Sequence, residues 1–381
     1  MGLTRPNKAV SLPKPSSDGK IYILIIVLCL FAGCADKTTN DGTLQEIFFD
    51  EEAELRNDAP SYEFIPLETG EENLLGDIAF TIVVNNKIIV VDRYSIQVYD
   101  MHGKFISRVG SRGQGPGEYL IPQDVWVDKA AQTILIHGAN YKLSVYDLNT
   151  YQYLFSKSTP GSFTSFSLLS DGSYAWYCSA GFKNDDSIYQ ISITDSLQRV
   201  KYSYPRDYYF EVDFLFALER FQTLSDKTYF YKGQNPIVYE ITSEGAKPAY
   251  KMNFGNHSFP PLDFADSHSS ATALLQTSYI GIYQFFQNDS FILSRYLWNG
   301  NRCYGIYNKK TRQTHRYADF QEDGIFKYAS IEGATEDGHF VLSLQPDRLL
   351  EQKTIRIAEL RELMETVSED DNPIICLVKF N

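Results

Sequence analysis

The sequence predicts an all-β protein, a six-bladed β-propeller that is closed by an N-terminal strand and carries short helical insertions. Three observations predict this fold. Val, Ile, Tyr and Phe occur in runs of about four to eight residues, which are bounded by turn signals such as Asp-Gly and Asn-Asn. One strand-turn-strand unit recurs along the chain, and a solitary strand-like segment precedes its first copy.

The recurring unit consists of a strand, a short polar loop, a second strand and a turn. Its clearest copies are Lys87–Val91 with Ile96–Tyr99, and Thr133–Ile136 with Leu143–Tyr146. The third strands of the six copies end at Tyr99, Tyr146, Ile191, Ile241, Tyr307 and Val378. The first three intervals match the roughly 40–50-residue period of propeller blades. The longer intervals contain insertions at 262–280 and 347–368, whose patterns predict helices.

Closure of the ring assigns a role to the solitary strand. A propeller must close, because its first and last blades otherwise expose open sheet edges. The last copy ends at Lys379-Phe380 without room for a fourth strand, whereas Glu63–Leu67 stands alone before the first copy. We therefore expect Glu63–Leu67 to pair with the strand at 374–380. A β-sandwich or a pair of small β domains is the alternative architecture.

The N-terminus has the pattern of a secretory signal. Basic residues precede an apolar run, Ile21 to Phe31, which is followed by Ala32, Gly33 and Cys34. This run is too short to cross a bilayer, which takes about 20 apolar residues. The cysteine after Ala-Gly resembles the lipobox of bacterial lipoproteins, which implies acylation of Cys34, for example by palmitate. The expected organisation is a lipoprotein signal peptide over 1–33, a polar tether over 34–59 and the propeller domain over 60–381.

Charge and cysteine content restrict the expected partners. The formal net charge is −13, and removal of the basic leader makes the chain more acidic. Nucleic-acid binding rewards basic surfaces, so we expect no nucleic-acid partner. Membrane attachment is expected through the lipid anchor instead. Cys178, Cys303 and Cys376 have no metal-type or disulfide-type spacing and are expected to be buried free thiols.

A glycine-rich segment carries a family resemblance. Gly110–Tyr119, with the pattern Gly-x-Gly-Pro-Gly-Glu-Tyr, resembles NHL-type repeats. More closely, the chain resembles the six-bladed β-propeller lipoproteins of gut-dwelling Gram-negative bacteria, which share this signature, the Phe64–Glu68 opening and an ending like Asp371–Ile374. The resemblance implies the propeller fold and an outer-membrane lipoprotein, with its periplasmic or surface-exposed side left open. It implies no function, since one fold hosts many functions.

Loop lengths identify the face on which a function is expected. Loops after the first and third strands of each blade share one face and are tight turns. Loops after the second and fourth strands share the other face and are long. Because binding residues concentrate on loops held by a rigid scaffold, we expect a ligand-binding or protein-interaction module that recognises a glycan, a peptide or an envelope protein. The candidate residues are Arg93, Arg112, Glu118, His137, Tyr208, Tyr209, Trp298 and Arg302.

Catalytic motifs are lacking in the sequence, which leaves two alternatives to the binding module. The chain has no H-E-x-x-H or G-x-S-x-G motif, so we lean against an enzyme and expect no cofactor. The first alternative is a propeller hydrolase or lyase with a divalent metal such as calcium at the channel mouth. Its ligands would be Asp92, Asp124, Asn140 and Glu332. The second alternative is a structural subunit of an envelope complex. The glycines of 110–117 are expected to form positive-φ turns between blades.

Overall fold

Six sheets are arranged in a ring as the blades of a β-propeller in the computed structural model of the chain. The structure describes residues 44–49, 54–55, 60–139, 141–161, 163–184, 187–197, 199–205, 220–232, 235–255, 283–298, 301–316, 329–352, 355 and 357–380. The predicted signal peptide and Cys34 therefore lie outside the described residues, as does the helix predicted at 262–280.

The strands follow the order expected from the repeat, with three strands before the first blade: β1 (Gln45–Phe48), β2 (Glu54–Leu55) and β3 (Ser61–Pro66). Blade 1 consists of β4 (Ile78–Val84), β5 (Lys87–Asp92), β6 (Ile96–Asp100) and β7 (Phe105–Arg108). The short pair β8 (Ser111–Arg112) and β9 (Glu118–Tyr119) follows. Blade 2 consists of β10 (Pro122–Asp128), β11 (Thr133–Gly138), β12 (Lys142–Asp147) and β13 (Tyr153–Ser158). Blade 3 consists of β14 (Ser165–Leu168), β15 (Tyr174–Asn184), β16 (Ser187–Thr194) and β17 (Val200–Pro205).

The second half of the ring repeats this pattern. Blade 4 consists of β18 (Gln222–Leu224), β19 (Lys227–Tyr231), β20 (Ile237–Thr242) and β21 (Gly245–Asn253). Blade 5 consists of β22 (Tyr283–Gln287), β23 (Phe291–Trp298), β24 (Asn301–Asn308) and β25 (Gln313–Arg316). Blade 6 consists of β26 (Ala329–Ala334), β27 (Phe340–Leu344), β28 (Ile374–Lys379) and β3. Two short helices, α1 (Pro346–Leu350) and α2 (Ala358–Met364), lie in the predicted helical insertion between β27 and β28.

Apolar cores between neighbouring blades hold the ring together. Successive side chains of a strand point to opposite faces of its sheet, so a blade with neighbours on both sides needs continuous apolar runs. In β5, Ile88 and Val90 pack in the core shared with blade 6, whereas Ile89 and Val91 pack in the core shared with blade 2. Each of the six consecutive pairs of blades shares such a cluster. A sandwich has one core between two sheets, so this arrangement excludes it.

The N-terminal strand closes the ring, as predicted. Strand β3 pairs antiparallel with β28, with Pro66 opposite Ile374 and Ser61 opposite Lys379. The pairing extends one residue beyond the two strands, where the Leu67 N–H donates a hydrogen bond to the Pro373 carbonyl. The six positions taken from the repeat as third-strand ends all lie in third strands, namely Tyr99, Tyr146, Ile191, Ile241, Tyr307 and Val378.

The segment before the closing strand belongs to the propeller more than the sequence suggested. Strand β1 adds to the outer edge of blade 4 by parallel pairing with β21, and β2 adds to blade 5 by pairing with β25. The predicted tether, 34–59, is therefore corrected from Gln45 onward. The physical reason is burial: Ile47 and Phe49 are fully buried in the core between blades 4 and 5. Gly305 leaves room for the Phe49 ring, which a Cβ would strike.

Candidate functional site

On the turn face, formed by the loops after the first and third strands, polar side chains accept hydrogen bonds from the backbone of their own turns. Asp100, Asp147 and Asp195 each follow a third strand, and each accepts hydrogen bonds from two backbone N–H groups of the next turn at 2.7–2.9 Å. These backbone donors lower the pKa of all three carboxyls. Asn308 caps the equivalent turn of blade 5 in the same way. The repeated acid or amide is thus a turn-forming residue, which accounts for its recurrence in the sequence.

The glycine-rich signature is also structural. Glu118 folds back over its own loop, where its carboxylate accepts the Gly115 N–H at 2.7 Å and fills the space in which a Cβ on Gly113 would lie. Gly110 and Gly117 have φ of 67° and 72°, as expected for turns between blades. Tyr119 is buried, and its hydroxyl donates to the Val109 carbonyl at 2.9 Å. The structure therefore assigns Glu118 to loop formation, with its carboxylate engaged within its own segment.

The ending shared with the resembled lipoproteins has a structural role too. The buried Asn372 side chain donates to the carbonyls of Glu68 and Asn73 at 2.7 and 2.9 Å, and accepts the Leu75 N–H at 2.8 Å. Its own N–H donates to Thr69 Oγ1 at 2.8 Å. We call Phe64–Leu75 together with Asn372–Phe380 the closing clasp. All of these bonds join the two ends of the propeller.

Exposed apolar and cationic side chains gather on the long-loop face, which is formed by the loops after the second and fourth strands. The Arg93 and Arg112 guanidinium carbons lie 5.3 and 4.9 Å from the centroid of the Tyr94 ring. Tyr94 is 44% exposed and Tyr141 is 55% exposed, the latter at a positive φ of 58°. Together with exposed apolar neighbours in the loops of blades 1 and 2, these residues define the blade 1–2 patch: Leu74, Arg93, Tyr94, Arg112, Ile121 and Tyr141.

Two of the predicted site residues in this half of the ring are buried. Asp92 accepts the Tyr94 and Ser95 N–H groups, the Ser95 hydroxyl and the Gly76 N–H at 2.6–3.1 Å, so its carboxylate shapes the β5–β6 loop. His137 is fully buried, and its ring lies 5.9 Å from Trp176. Burial lowers the His137 pKa to about 4. Neither side chain reaches the surface in the way that a ligand contact requires.

A polar hub lies at the centre of the ring, where the inner strands begin. Asp124 of β10 accepts two bonds from the Arg220 guanidinium at 2.6 and 3.1 Å, and its other oxygen accepts the Ser165 hydroxyl and the Phe166 N–H at 2.6 and 2.9 Å. The Arg220 guanidinium carbon lies 3.3 Å from the centroid of the Phe80 ring. Arg220 thus connects blades 1, 2 and 4, and the Asp124 carboxylate is fully engaged.

Glu332, in β26 of blade 6, is also within reach of the Arg220 charge. It occupies a β-bulge, where the register of β26 and β27 shifts between Ile331 and Gly333. Burial raises its pKa to about 7, against the opposing effects of the Ser343 hydroxyl, which donates to it at 2.6 Å, and the charges of Arg220 and Arg295. Bulges near a ring centre redirect a side chain, and they recur next to functional sites.

Of the remaining predicted site residues, the structure describes only Trp298 and Arg302. Asn140, Tyr208 and Tyr209 lie outside the described residues. Trp298 ends β23 and Arg302 lies in the neighbouring β24, beside the β23–β24 connection. Among the residues that the structure describes, no three His, Cys, Asp or Glu side chains lie close enough to hold a metal ion. Asp92 and Asp124 belong to different blades, and both are already saturated by hydrogen bonds.

Sequence reasoning missed Arg220 and Tyr94. Arg220 had no motif around it, and its partner Asp124 is 96 residues earlier in the chain. Tyr94 follows directly on the predicted Asp92-Arg93 pair, so an aromatic between two arginines of one face was a usable signal. The free thiols behave as expected: Cys178 and Cys376 are buried, and Cys303 is half-buried. None of the described helices is long and apolar enough to cross a bilayer.

The fold and these sites define a six-bladed β-propeller with a polar centre. The family model described as "Domain of unknown function (DUF4934)" matches residues 48–379, and the chain belongs to that family. A crystal structure of a Bacteroides fragilis NCTC 9343 protein (BF0058), described as exported, is similar over 88% of this chain and 100% of that chain, with 22% identity and a TM-score of 0.78. This likeness concerns the fold.

More distant propellers are similar only in outline. The structures of U3-55K and of the RRP9 WD40 repeats each share 9% identity with this chain at a TM-score of 0.45. They cover 83% and 85% of this chain, and 98% and 99% of their own. A comparison with curated protein sequences gave no match.

Proposed function

We propose that the chain is a lipid-anchored binding module of the bacterial envelope, which recognises a glycan, a peptide or a partner protein through its long-loop face. The observation that carries this proposal is the blade 1–2 patch. Two exposed arginines lie within about 5 Å of the centroid of its Tyr94 ring, and Tyr141 presents a second exposed ring. Tyrosine and arginine are the residues that most often supply binding energy at the centre of an interface.

The patch is also distinguished from the rest of the surface. On the turn face, the recurring acidic side chains accept hydrogen bonds from backbone N–H groups. These carboxylates are therefore already engaged within the fold. The protein is acidic overall, with a net charge of −13, so a pair of arginines on one exposed ring is a local reversal of charge. Such a reversal favours a partner with anionic groups and directs its approach.

A binding screen with matched variants tests the proposal. The purified protein is screened against immobilised glycans and peptides, and each ligand found is measured again with Tyr94→Ala and Arg112→Ala. We expect either substitution to weaken binding at least tenfold, because stacking and charge-assisted bonds are lost. Lys104→Ala on the turn face is the control and should leave binding unchanged. Ligands that bind both patch variants as well as the unmodified protein would contradict the proposed site.

The lipid anchor is tested separately. The proposal rests here on the Ala-Gly-Cys34 pattern after the apolar run, together with the description of the Bacteroides fragilis relative as exported. Cys34→Ala should yield a protein without acyl mass that no longer sediments with membranes, since acyl chains contribute about 0.8 kcal/mol per buried CH₂. Membrane retention of this variant at unchanged mass would contradict the anchor.

A further inference from the structure

The contact between blades 5 and 6 changes character along the strands. On the face of blade 5 that packs against blade 6, Phe286, Leu293 and Ile306 form one cross-strand row inside the apolar core. The next row toward the long-loop face contains Gln284 and Arg295. Residues two apart on a strand point to the same face, so both of these side chains also point toward blade 6. A cation and an amide thus enter the contact where its apolar packing ends.

Among the residues that the structure describes, Arg295 and the side-chain oxygen of Gln284 lack partners. Arg295 is half-buried and forms no hydrogen bond or ion pair with the residues that the structure describes. The Gln284 Oε1 atom is buried without a hydrogen-bond partner. Buried polar groups are nearly always paired, and an arginine has five donors to satisfy. Packing therefore gives no reason for this pair to lie between two blades.

Glu332 of blade 6 is a carboxyl that the Arg295 charge reaches. The Arg295 charge acts on the Glu332 carboxyl, which is buried and receives one hydrogen bond, from Ser343. Because burial raises the Glu332 pKa to about 7, a large share of these carboxyls hold a proton near neutral pH. A protonated carboxyl can donate a hydrogen bond, and it leaves the Arg295 charge uncompensated.

Arg220 and Arg295 differ in whether a carboxylate balances the charge of the guanidinium. Arg220 is paired with Asp124 by two hydrogen bonds, so that its charge is balanced within the fold. Arg295 has no carboxylate at ion-pair distance among the described residues. We propose that the polar end of the contact between blades 5 and 6, at Gln284 and Arg295, binds the carboxylate group of a small ligand with Arg295 as its anchor.

The chemistry of Gln284 and Arg295, which lie opposite each other on neighbouring strands, matches such a ligand. A guanidinium binds a carboxylate through two parallel N–H···O bonds, which gives direction as well as energy. The unpaired Gln284 oxygen requires a donor, which a hydroxyl or amide N–H next to the carboxylate would supply. Sugar acids and N-acylated amino acids both have such a donor beside the carboxylate. This site is separate from the blade 1–2 patch and does not rest on the function proposed for it.

Calorimetry with charged and uncharged pairs of probes tests the site. The purified protein is titrated with glucuronate against glucose, and with N-acetylalanine against its amide, which separates the two ligand sources. We expect at least one carboxylate to bind, with its uncharged analogue at least tenfold weaker. Arg295→Gln should reduce the affinity at least tenfold, and Arg295→Lys less, because lysine keeps the charge but loses the fork. Arg199→Gln, an exposed arginine on the turn face of blade 3, is the control and should leave the affinity unchanged.

Three outcomes would overturn the proposal. The first is that the carboxylates bind no better than their uncharged analogues. The second is that Arg295→Gln, shown to be folded by its melting temperature, binds as well as the unmodified protein. The third is that neither carboxylate binds at concentrations up to about 50 mM, which corresponds to a negligible binding free energy.

Discussion

The closing clasp and the inner part of the ring both bury polar side chains, but the hydrogen bonding of these side chains differs between the two regions. In the clasp, the Asn372 amide and backbone N–H make four hydrogen bonds to the opposite end of the domain. In the inner part of the ring, Asp124 is equally well satisfied, but Arg295 and the Gln284 side-chain oxygen have no hydrogen-bond partner among the described residues. The comparison separates polar groups that hold the fold together from polar groups that the fold leaves available.

The clasp gives the largest expected effect on stability. Asn372→Ala removes three side-chain hydrogen bonds from a buried position and leaves the Leu75 N–H without its acceptor. Since an unsatisfied buried group costs about 1–3 kcal/mol, we expect a loss of about 3–4 kcal/mol in the free energy of unfolding. Denaturant titration measures it. Asn149→Ala, at an exposed turn, is the control and should change the free energy little; an equal loss in both variants would refute the role of the clasp.

The His137 ring is buried with no hydrogen-bond partner among the described residues, and it should make the protein sensitive to acid. Its pKa is lowered to about 4 from an ordinary value of 6.5, so the unfolded chain binds a proton that the folded chain refuses between these values. Stability is therefore lost as the pH falls through this window, by about 3 kcal/mol at pH 4. Denaturant titrations of His137→Leu at pH 7 and pH 4 should show that this loss disappears.

The control for this prediction is the exposed His102. Replacing His102 with Ala should leave the acid sensitivity of the protein intact, because that ring lies in an exposed turn. If His137→Leu keeps the full acid-induced loss, the buried imidazole is not its source. The account of the contact between blades 2 and 3 would then have to change.

Glu332 should act in the opposite direction. Its folded pKa is raised to about 7 from 4.5, so its neutral form is favoured by folding and stability is lost as the pH rises through that window. Glu332→Gln should therefore gain about 2–3 kcal/mol relative to the unmodified protein between pH 5 and pH 8, as measured by denaturant titration. Glu244→Gln, on the exposed surface, should show no such gain. If the free energy of unfolding of Glu332→Gln depended on pH in the same way as that of the unmodified protein, the raised pKa of Glu332 would be refuted.

Much of the fold was predictable because the repeat records it locally. Turn residues and continuous apolar runs recur in the blades, and the lone strand at 63–67 had one available partner at 374–380. The strands β1 and β2 were not predictable from the same pattern. They are short, they flank polar residues, and the burial of Phe49 depends on space left by Gly305 far along the chain.

The site was less predictable, because it depends on distant residues that meet at the ring centre. Asp124, Arg220 and Glu332 come from three blades, and no spacing in the sequence connects them. The sequence did identify Arg93 and Arg112, but not that both contact the ring of one tyrosine, Tyr94. It also identified Asp92 and His137 as strand-end residues, while their burial follows from loop geometry and from aromatic neighbours in the next blade.

The most direct test compares the free energies of unfolding of Arg220 and Arg295 variants, measured by denaturant titration without any ligand. Arg220→Gln removes two donors from the buried Asp124 carboxylate and should cost about 3 kcal/mol. Arg295→Gln removes a side chain that the fold does not use and should change the free energy of unfolding by less than about 0.5 kcal/mol. An Arg295→Gln loss as large as that of Arg220→Gln would show that Arg295 is structural, and would contradict the distinction on which this account rests.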